Sequence, residues 1–146
     1  MPFDAPKTGF GRSYPISIVP YDPAWPERFE AEARRIRTAL GAVAKRIDHI
    51  GSTAVRGLAG KPVIDIQVSV ASLQPVDDYR IPLERLGYEY RHDPDTPEHE
   101  YFFRDVNGVR AYQSHVCSAG SRWERAHLAF RDHLRAHADV PPRTSR

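Results

Sequence analysis

The residues best suited to chemistry lie in one short stretch, where a turn of small residues precedes an apolar strand. Gly51 permits a tight backbone turn, and the hydroxyls of Ser52 and Thr53 can cap a helix or hold an anion. A helix beginning at Ser52 would point free amide groups at a phosphate. Lys61 then supplies a positive charge that can reach a phosphate oxygen. The stretch predicts a phosphate-binding turn.

The strand that follows, residues 63–70, carries two polar side chains on one face. Alternate residues of a strand point the same way, so Asp65 and Gln67 lie together, opposite a row of aliphatic side chains. Carboxylate and amide oxygens can bind Mg²⁺ or Mn²⁺. We therefore expect this polar pair to face a cleft and to form a candidate metal site beside the turn.

A later segment, residues 110–117, adds a histidine. Gln113 and His115 share one of its faces. An imidazole titrates near neutral pH, so His115 beside Asp65 can act as a metal ligand or as a general acid or base. The competing interpretation is a hydrogen-bonded histidine on a half-buried strand and a carboxylate that is solvated or paired with an arginine. Spacing leaves both interpretations open.

Four longer motifs identify a family. They read I-V-P-Y-D-P-A-W-P at 18–26, H-I-G-S-T-A-V-R-G-L at 49–58, K-P-V-I-D-I at 61–66 and H-L-A-F-R-D-H-L-R at 127–135. With them the chain resembles the GrpB family, which is similar to the nucleotidyltransferase superfamily of DNA polymerase beta and the aminoglycoside nucleotidyltransferases. The resemblance implies a nucleotidyltransferase-like mixed sheet flanked by helices. The same domain occurs fused to dephospho-CoA kinase in some bacteria, which implies an accessory role there.

The resemblance also implies roles for individual residues. The superfamily grips nucleotide phosphates with a Gly-Ser turn and binds metal with two acids at alternate strand positions. Asp65 matches the first acid, but Gln67 stands at the second position and brings no charge to a two-metal site. His115 matches the family's His-x-His pattern, whereas Gln113 departs from it. Arg56 replaces a usual proline; it can contact an anion or loosen the turn, and we favour the second.

Composition limits the classes of protein that fit. The chain has 146 residues, 40% hydrophobic residues and a net charge of +2, which suits one folded domain. No apolar run is long enough for a bilayer and the charge is small, so we expect neither a membrane nor nucleic acid as a partner. The N-terminus does not resemble a signal peptide, and Cys117 is the single cysteine. We expect a cytoplasmic protein with a buried free thiol.

The hydrophobic pattern predicts the elements that must position these residues. We expect strands at 16–19, 44–50, 63–70 and from 88, a hairpin pairing 100–105 with 110–117, and helices at 24–40, just after 52, at 74–86 and at 121–136. Trp25 and Phe29 are expected in the core, and Trp123 and Phe130 should give the last helix packing surface. The order predicts an α/β or α+β fold. The domain should span 16–137, after a flexible arm at 1–15 and before a short tail at 138–146.

Two functions from different classes follow. The first is binding of a nucleotide or other phosphorylated small molecule with Mg²⁺ or Mn²⁺, with transfer of a nucleotidyl group as the reaction. Its phosphate ligands would be Gly51, Ser52, Thr53 and Lys61. Its metal ligands would be Asp65, Gln67 and His115, of which Asp65 and His115 would be catalytic. The alternative is a non-catalytic accessory or protein-interaction domain. The resembled family commonly has a further helix after residue 135; if that helix covers the cleft, we expect this chain either to bind its ligand weakly or to pair with a second copy or another protein that covers the exposed apolar surface.

Overall fold

A computed structural model describes residues 17–138, in which helices pack on both faces of one five-stranded sheet. The helices are α1 (Trp25–Leu40), α2 (Asp77–Arg85) and α3 (Arg122–Ala138). The strands are β1 (Ala44–Ile50), β2 (Ile64–Val70), β3 (Glu89–Arg91), β4 (His99–Val106) and β5 (Val109–Ser118). Their order is β1-β2-β5-β4-β3, with β2 and β5 parallel and the other neighbours antiparallel. The predicted mixed sheet flanked by helices is confirmed.

The core lies between α1, α2 and the aliphatic face of the sheet. Trp25, Phe29 and Ile36 recur at helical spacing along α1 and are buried against β2 residues such as Ile66. Burying each large apolar side chain contributes about 1.5–3 kcal/mol. The expected position of Trp25 and Phe29 in the core is confirmed. Because this face is filled by aliphatic packing, the opposite face of the sheet is the one available for chemistry.

One carboxylate of α1 enters the core. Glu32 is only 2% exposed, and it accepts bonds from Arg104 Nη2 at 2.7 Å and from the Tyr88 hydroxyl at 2.7 Å. Arg35 also donates to it from the solvent side. Burial raises the pKa of Glu32, but the bonds from Arg104, Tyr88 and Arg35 outweigh burial and lower it overall. Glu32 is therefore ionised and ties α1 to β4.

The hairpin that was expected around an Asn-Gly pair is confirmed, and its strands are longer than expected. Asn107 and Gly108 have φ values of +55° and +80° between β4 and β5. Positive φ at both central residues is the requirement of the two-residue turn that matches strand twist, which explains the residue types. The hairpin pairs β4 with β5, and β5 pairs on its other edge with β2, where the candidate site lies.

Other expectations are corrected. The strand expected at 16–19 is a single bridge between Val19 and Gly60, with residue 16 outside the described range. The helix expected at 74–86 is shorter and begins at Asp77. Phe130 is 61% exposed instead of packed. The predicted arm at 1–15 and residues 139–146 of the predicted tail lie outside the described residues. Within 17–138 the helices are too short or too polar to cross a membrane.

Candidate phosphate and metal site

Parallel pairing of β2 with β5 brings the two strongest candidates together. In this register Asp65 lies opposite Gln113, and Gln67 lies opposite His115. The Nε2 atom of His115 is 3.4 Å from Oδ1 of Asp65, and the two side chains are 18% and 27% exposed. Both side chains lie on the face away from the aliphatic core. The structure therefore forms an acid-imidazole pair that a ligand can reach.

Glycine at position 51 lets the turn approach this pair. Gly51 has φ +78°, and a Cβ added there would lie 2.6 Å from Oδ2 and 3.0 Å from Cβ of Asp65. No other residue fits this backbone and this approach without displacement. Ser52 packs equally closely against Gly60, where an added Cβ would lie 2.3 Å from the Ser52 Oγ. Two glycines thus keep the turn close to the carboxylate.

Two cavities meet at Asp65. The first, which we call the aromatic cavity, has a volume of about 390 Å³ and is lined by Ile50, Gly51, Asp65, Gln113, His115, Trp123, His127 and Phe130. The second, the loop cavity, has about 340 Å³ and is lined by Ile18, Ser52, Ala59, Gly60, Lys61, Val63, Asp65 and Gln113. Asp65 and Gln113 belong to both. Volumes of this size are typical of small-molecule sites, and one ligand can extend across Asp65 into both.

The residues predicted to hold phosphate divide into two groups. Ser52 and Lys61 line the loop cavity with Asp65, and within residues 17–138 Lys61 has no ion pair. Thr53 lies elsewhere: it is 1% exposed, and its Oγ1 is 2.9 Å from Nε2 of His49. Thr53 therefore holds the turn to β1 and does not line the loop cavity.

The helix expected just after Ser52 does not form. Residues Ser52–Ala54 form a single 3-10 turn, in which the amides of Ala54 and Val55 donate to the carbonyls of Gly51 and Ser52. Those amides are used inside the turn, and the turn does not continue into an α-helix, so the expected helix macrodipole is not available to a phosphate here.

Gln67 is also placed differently from the expectation. It shares a face with Asp65, but it is 0% exposed and does not line the two cavities. Its amide nitrogen and oxygen have no hydrogen-bond partner among the described residues. Helix α3 crosses this face, where Arg131 lies 3.7 Å from Asp48 of β1. The expected cleft therefore opens at Asp65 and is closed at Gln67.

The pair of Asp65 and His115 fits one divalent cation. Donor atoms that bind the same ion at 2.0–2.2 Å are about 3.0–3.5 Å apart, and the observed separation is 3.4 Å. No group of three or more His, Cys, Asp or Glu side chains within residues 17–138 is arranged around a metal position. A cation held here would take its remaining ligands from a bound molecule and water.

An aromatic wall beside this pair was missed by the sequence reasoning. Trp123 of α3 stacks between His99 and His127, with ring centroids 3.9 Å and 4.0 Å apart. Trp123 and His127 both line the aromatic cavity. Burial, followed by the charge of His115, lowers the pKa of His99 to about 4, so that ring is neutral at pH 7. The spacing of 123, 127 and 130 on one helical face was the available signal. It gives the cavity an apolar end.

Comparison with known sequences gives a consistent result. Residues 15–143 match the family model described as GrpB protein. A UPF0157 protein of Halalkalibacterium halodurans is 41% identical over 123 residues, which cover 84% of this chain and 62% of the relative. A dephospho-CoA kinase of Mycobacterium bovis is 37% identical over 131 residues, or 88% of this chain and 29% of the kinase. The chain thus spans less than two thirds of the length of these relatives.

Solved structures agree with the sequence matches. The conserved protein GrpB from Enterococcus faecalis has a TM-score of 0.75 and 36% identity, covering 82% of this chain and 73% of that one. The Cid1 poly(U) polymerase, solved with MgGTP bound, has a TM-score of 0.58 and 18% identity, covering 88% of this chain and 40% of the polymerase. At that identity the likeness shows the fold alone. The predicted nucleotidyltransferase-like fold is confirmed.

Proposed function

The chain belongs to the GrpB family, and we propose that it binds a nucleotide or another phosphorylated small molecule together with one divalent cation. The observation that carries the proposal is the position of Asp65. Its carboxylate lines both cavities and lies 3.4 Å from the imidazole of His115. A cation bound by Asp65 would lie at the junction of the two cavities, where it could neutralise the charge of a bound phosphate.

The two cavities suit the two ends of such a ligand. In the loop cavity, Lys61 supplies a positive charge and Ser52 a hydroxyl for phosphate oxygens. In the aromatic cavity, Phe130 offers an exposed apolar ring to a base, and Trp123, whose faces stack on His99 and His127, offers its edge. A nucleotide placed with its phosphates at the loop cavity would extend past Asp65 and put its base at the aromatic end.

The cation site should prefer manganese to magnesium. Asp65 provides an oxygen ligand, but His115 provides a nitrogen, which binds a transition metal better than it binds Mg²⁺. When bound, the cation would neutralise phosphate charge and polarise the phosphorus centre. Gln67 adds no second carboxylate, since it is neutral and covered. This favours ligand binding over nucleotidyl transfer; were transfer to occur, Asp65 and His115 would be its catalytic residues.

The neutral side chain at position 67 also supports the second candidate, a non-catalytic accessory or protein-interaction domain of the same fold. A homodimer or a protein partner remains a prediction, as does a cytoplasmic location. The two candidate functions differ in one respect that can be measured: an accessory domain needs no cation-dependent affinity for nucleotides.

The proposal is tested by thermal unfolding with a panel of nucleoside triphosphates in Mn²⁺, in Mg²⁺ and in EDTA. At least one nucleotide should raise the melting temperature of the wild type, more in Mn²⁺ than in EDTA. Asp65→Asn should abolish the cation-dependent rise. Asp95→Asn, on an exposed loop, is the matched control and should retain it. If no nucleotide raises the melting temperature of the wild type, the nucleotide proposal fails; if Asp65→Asn behaves as the wild type, the cation site fails.

A further inference from the structure

A third cavity lies on the other side of the Ser52–Ala54 turn. It has a volume of about 310 Å³ and is lined by Tyr21, Pro26, His49, Thr53, Ala54, Arg56 and Arg135. It shares no lining residue with the aromatic or loop cavity. We call it the arginine cavity. The turn therefore separates it from the site of the proposed function.

The charge of the arginine cavity comes from two guanidinium groups. Among the residues that the structure describes, no acidic side chain lines it. Arg135 donates from Nε to the carbonyl of Ala54 at 2.9 Å, and within 17–138 neither Arg135 nor Arg56 is paired with a carboxylate. In contrast, Arg131, one turn earlier on α3, is paired with Asp132 at 3.0 Å. The arginine cavity is left with a charge of about +2.

The floor of the cavity is neutral and fixed. His49 and Thr53 are 6% and 1% exposed, they contact each other at 2.9 Å, and the His49 ring stacks on Phe29 at 4.7 Å. Burial, and then the charges of Arg135 and Arg131, lower the pKa of His49 to about 4, so it is uncharged at pH 7. A ligand would therefore meet two cations above a rigid polar floor.

We propose that the arginine cavity binds a phosphoryl dianion between Arg56 and Arg135. Guanidinium groups match the oxygens of a phosphate in geometry, and two of them balance a charge of about −2. The volume of about 310 Å³ accommodates a phosphate with a small substituent. This assigns Arg56 the anion contact, in place of the loosened turn that the sequence reasoning favoured.

The test is a titration of the full chain with inorganic phosphate at pH 7.5, in EDTA and at low ionic strength, followed by calorimetry. EDTA removes the cation that the other site needs, and low ionic strength limits screening of exposed charges. The wild type should bind phosphate saturably. Arg56→Gln should weaken binding about tenfold, the loss of a charge-assisted hydrogen bond. Arg34→Gln removes the same charge from an exposed position on α1 and should bind as the wild type does.

Two further arms locate the site and identify the anion. Arg135→Gln removes the second guanidinium and should also weaken phosphate binding about tenfold, whereas acetate, a monoanion, should bind the wild type at least about tenfold more weakly than phosphate. The proposal is overturned if the wild type does not bind phosphate saturably, if Arg56→Gln or Arg135→Gln binds phosphate as tightly as Arg34→Gln does, or if acetate binds as well as phosphate. Failure of cation-dependent nucleotide binding would leave this result unaffected, because no cation is present.

Discussion

The approach of Gly51 to Asp65 makes a sharp prediction about a single methyl group. In Gly51→Ala, the new Cβ would lie 2.6 Å from Oδ2 of Asp65, roughly 0.8 Å inside ordinary van der Waals contact. Rotation of the carboxylate relieves only part of this overlap, because Cβ of Asp65 is itself 3.0 Å away and belongs to β2. The strand or the turn must therefore move.

The size of the effect has two parts. A non-glycine residue at φ +78° and ψ −177° is strained by about 1–3 kcal/mol. The overlap with Asp65 adds about 1–3 kcal/mol, as overpacking does elsewhere. Gly57→Ala is the matched control, since Gly57 has φ +83° but nothing within 4 Å of its added Cβ. It shares the positive φ and lacks the contact.

Urea unfolding measures the first consequence and Mn²⁺ titration the second. Gly51→Ala should unfold at a lower urea concentration than Gly57→Ala. It should also bind Mn²⁺ at least about tenfold more weakly, a difference of about 1.4 kcal/mol, because Asp65 is displaced from His115. Gly57→Ala should bind Mn²⁺ as the wild type does. Equal unfolding midpoints and equal Mn²⁺ affinities for the two variants would refute the argument that Gly51 is required for its contact with Asp65.

Other outcomes follow from buried ionisable groups. Glu32→Gln should lower the free energy of unfolding by about 3 kcal/mol, because Arg104 loses its partner. The pKa of Glu32 is lowered in the fold, so the loss of stability measured by urea unfolding should be full above about pH 4.3 and should shrink as the pH falls further. A loss that does not change with pH would contradict this. Burial raises the pKa of Cys117 to about 11, so DTNB at pH 8 should detect no thiol in the native chain and one in urea; rapid native reaction would contradict this. The pKa values of His49 and His99 are lowered to about 4 in the fold and lie near 6.5 in the unfolded chain, so unfolding takes up protons between these values. The unfolding free energy should fall from pH 6.5 to pH 4, and a flat profile would exclude that linkage.

Local patterns predicted the parts of the fold that depend on local physics. The apolar stripe beginning at Trp25 predicted α1, because helical spacing alone determines which side chains share a face. Asn107 and Gly108 predicted the hairpin, because their preference for positive φ is a property of the residues themselves. The buried free thiol expected at Cys117 is confirmed as well. Each of these needed no knowledge of distant contacts.

Features created by the assembly of the sheet were not predictable in the same way. Alternation placed Asp65 and Gln67 on one face, but tertiary packing leaves Asp65 27% exposed and covers Gln67 completely. The hydroxyl of Thr53 turned away from the predicted phosphate site because His49 on β1 is its neighbour. His127, for which no role was predicted, stacks on Trp123 and lines the aromatic cavity. In each case, the three-dimensional packing around the residue, and not its spacing in the sequence, determined the outcome.

The parallel pairing of β2 with β5 also determines when the site is formed during folding. The β4–β5 hairpin joins neighbouring segments through a two-residue turn, and such local contacts form early. In contrast, β2 must wait for a ladder that closes over residues 71–108, a non-local pairing with a higher entropic barrier. Asp65 and His115 therefore remain apart in any intermediate that contains only the hairpin. A ligand that bridges them would stabilise the complete fold against global unfolding without rescuing partly folded chains.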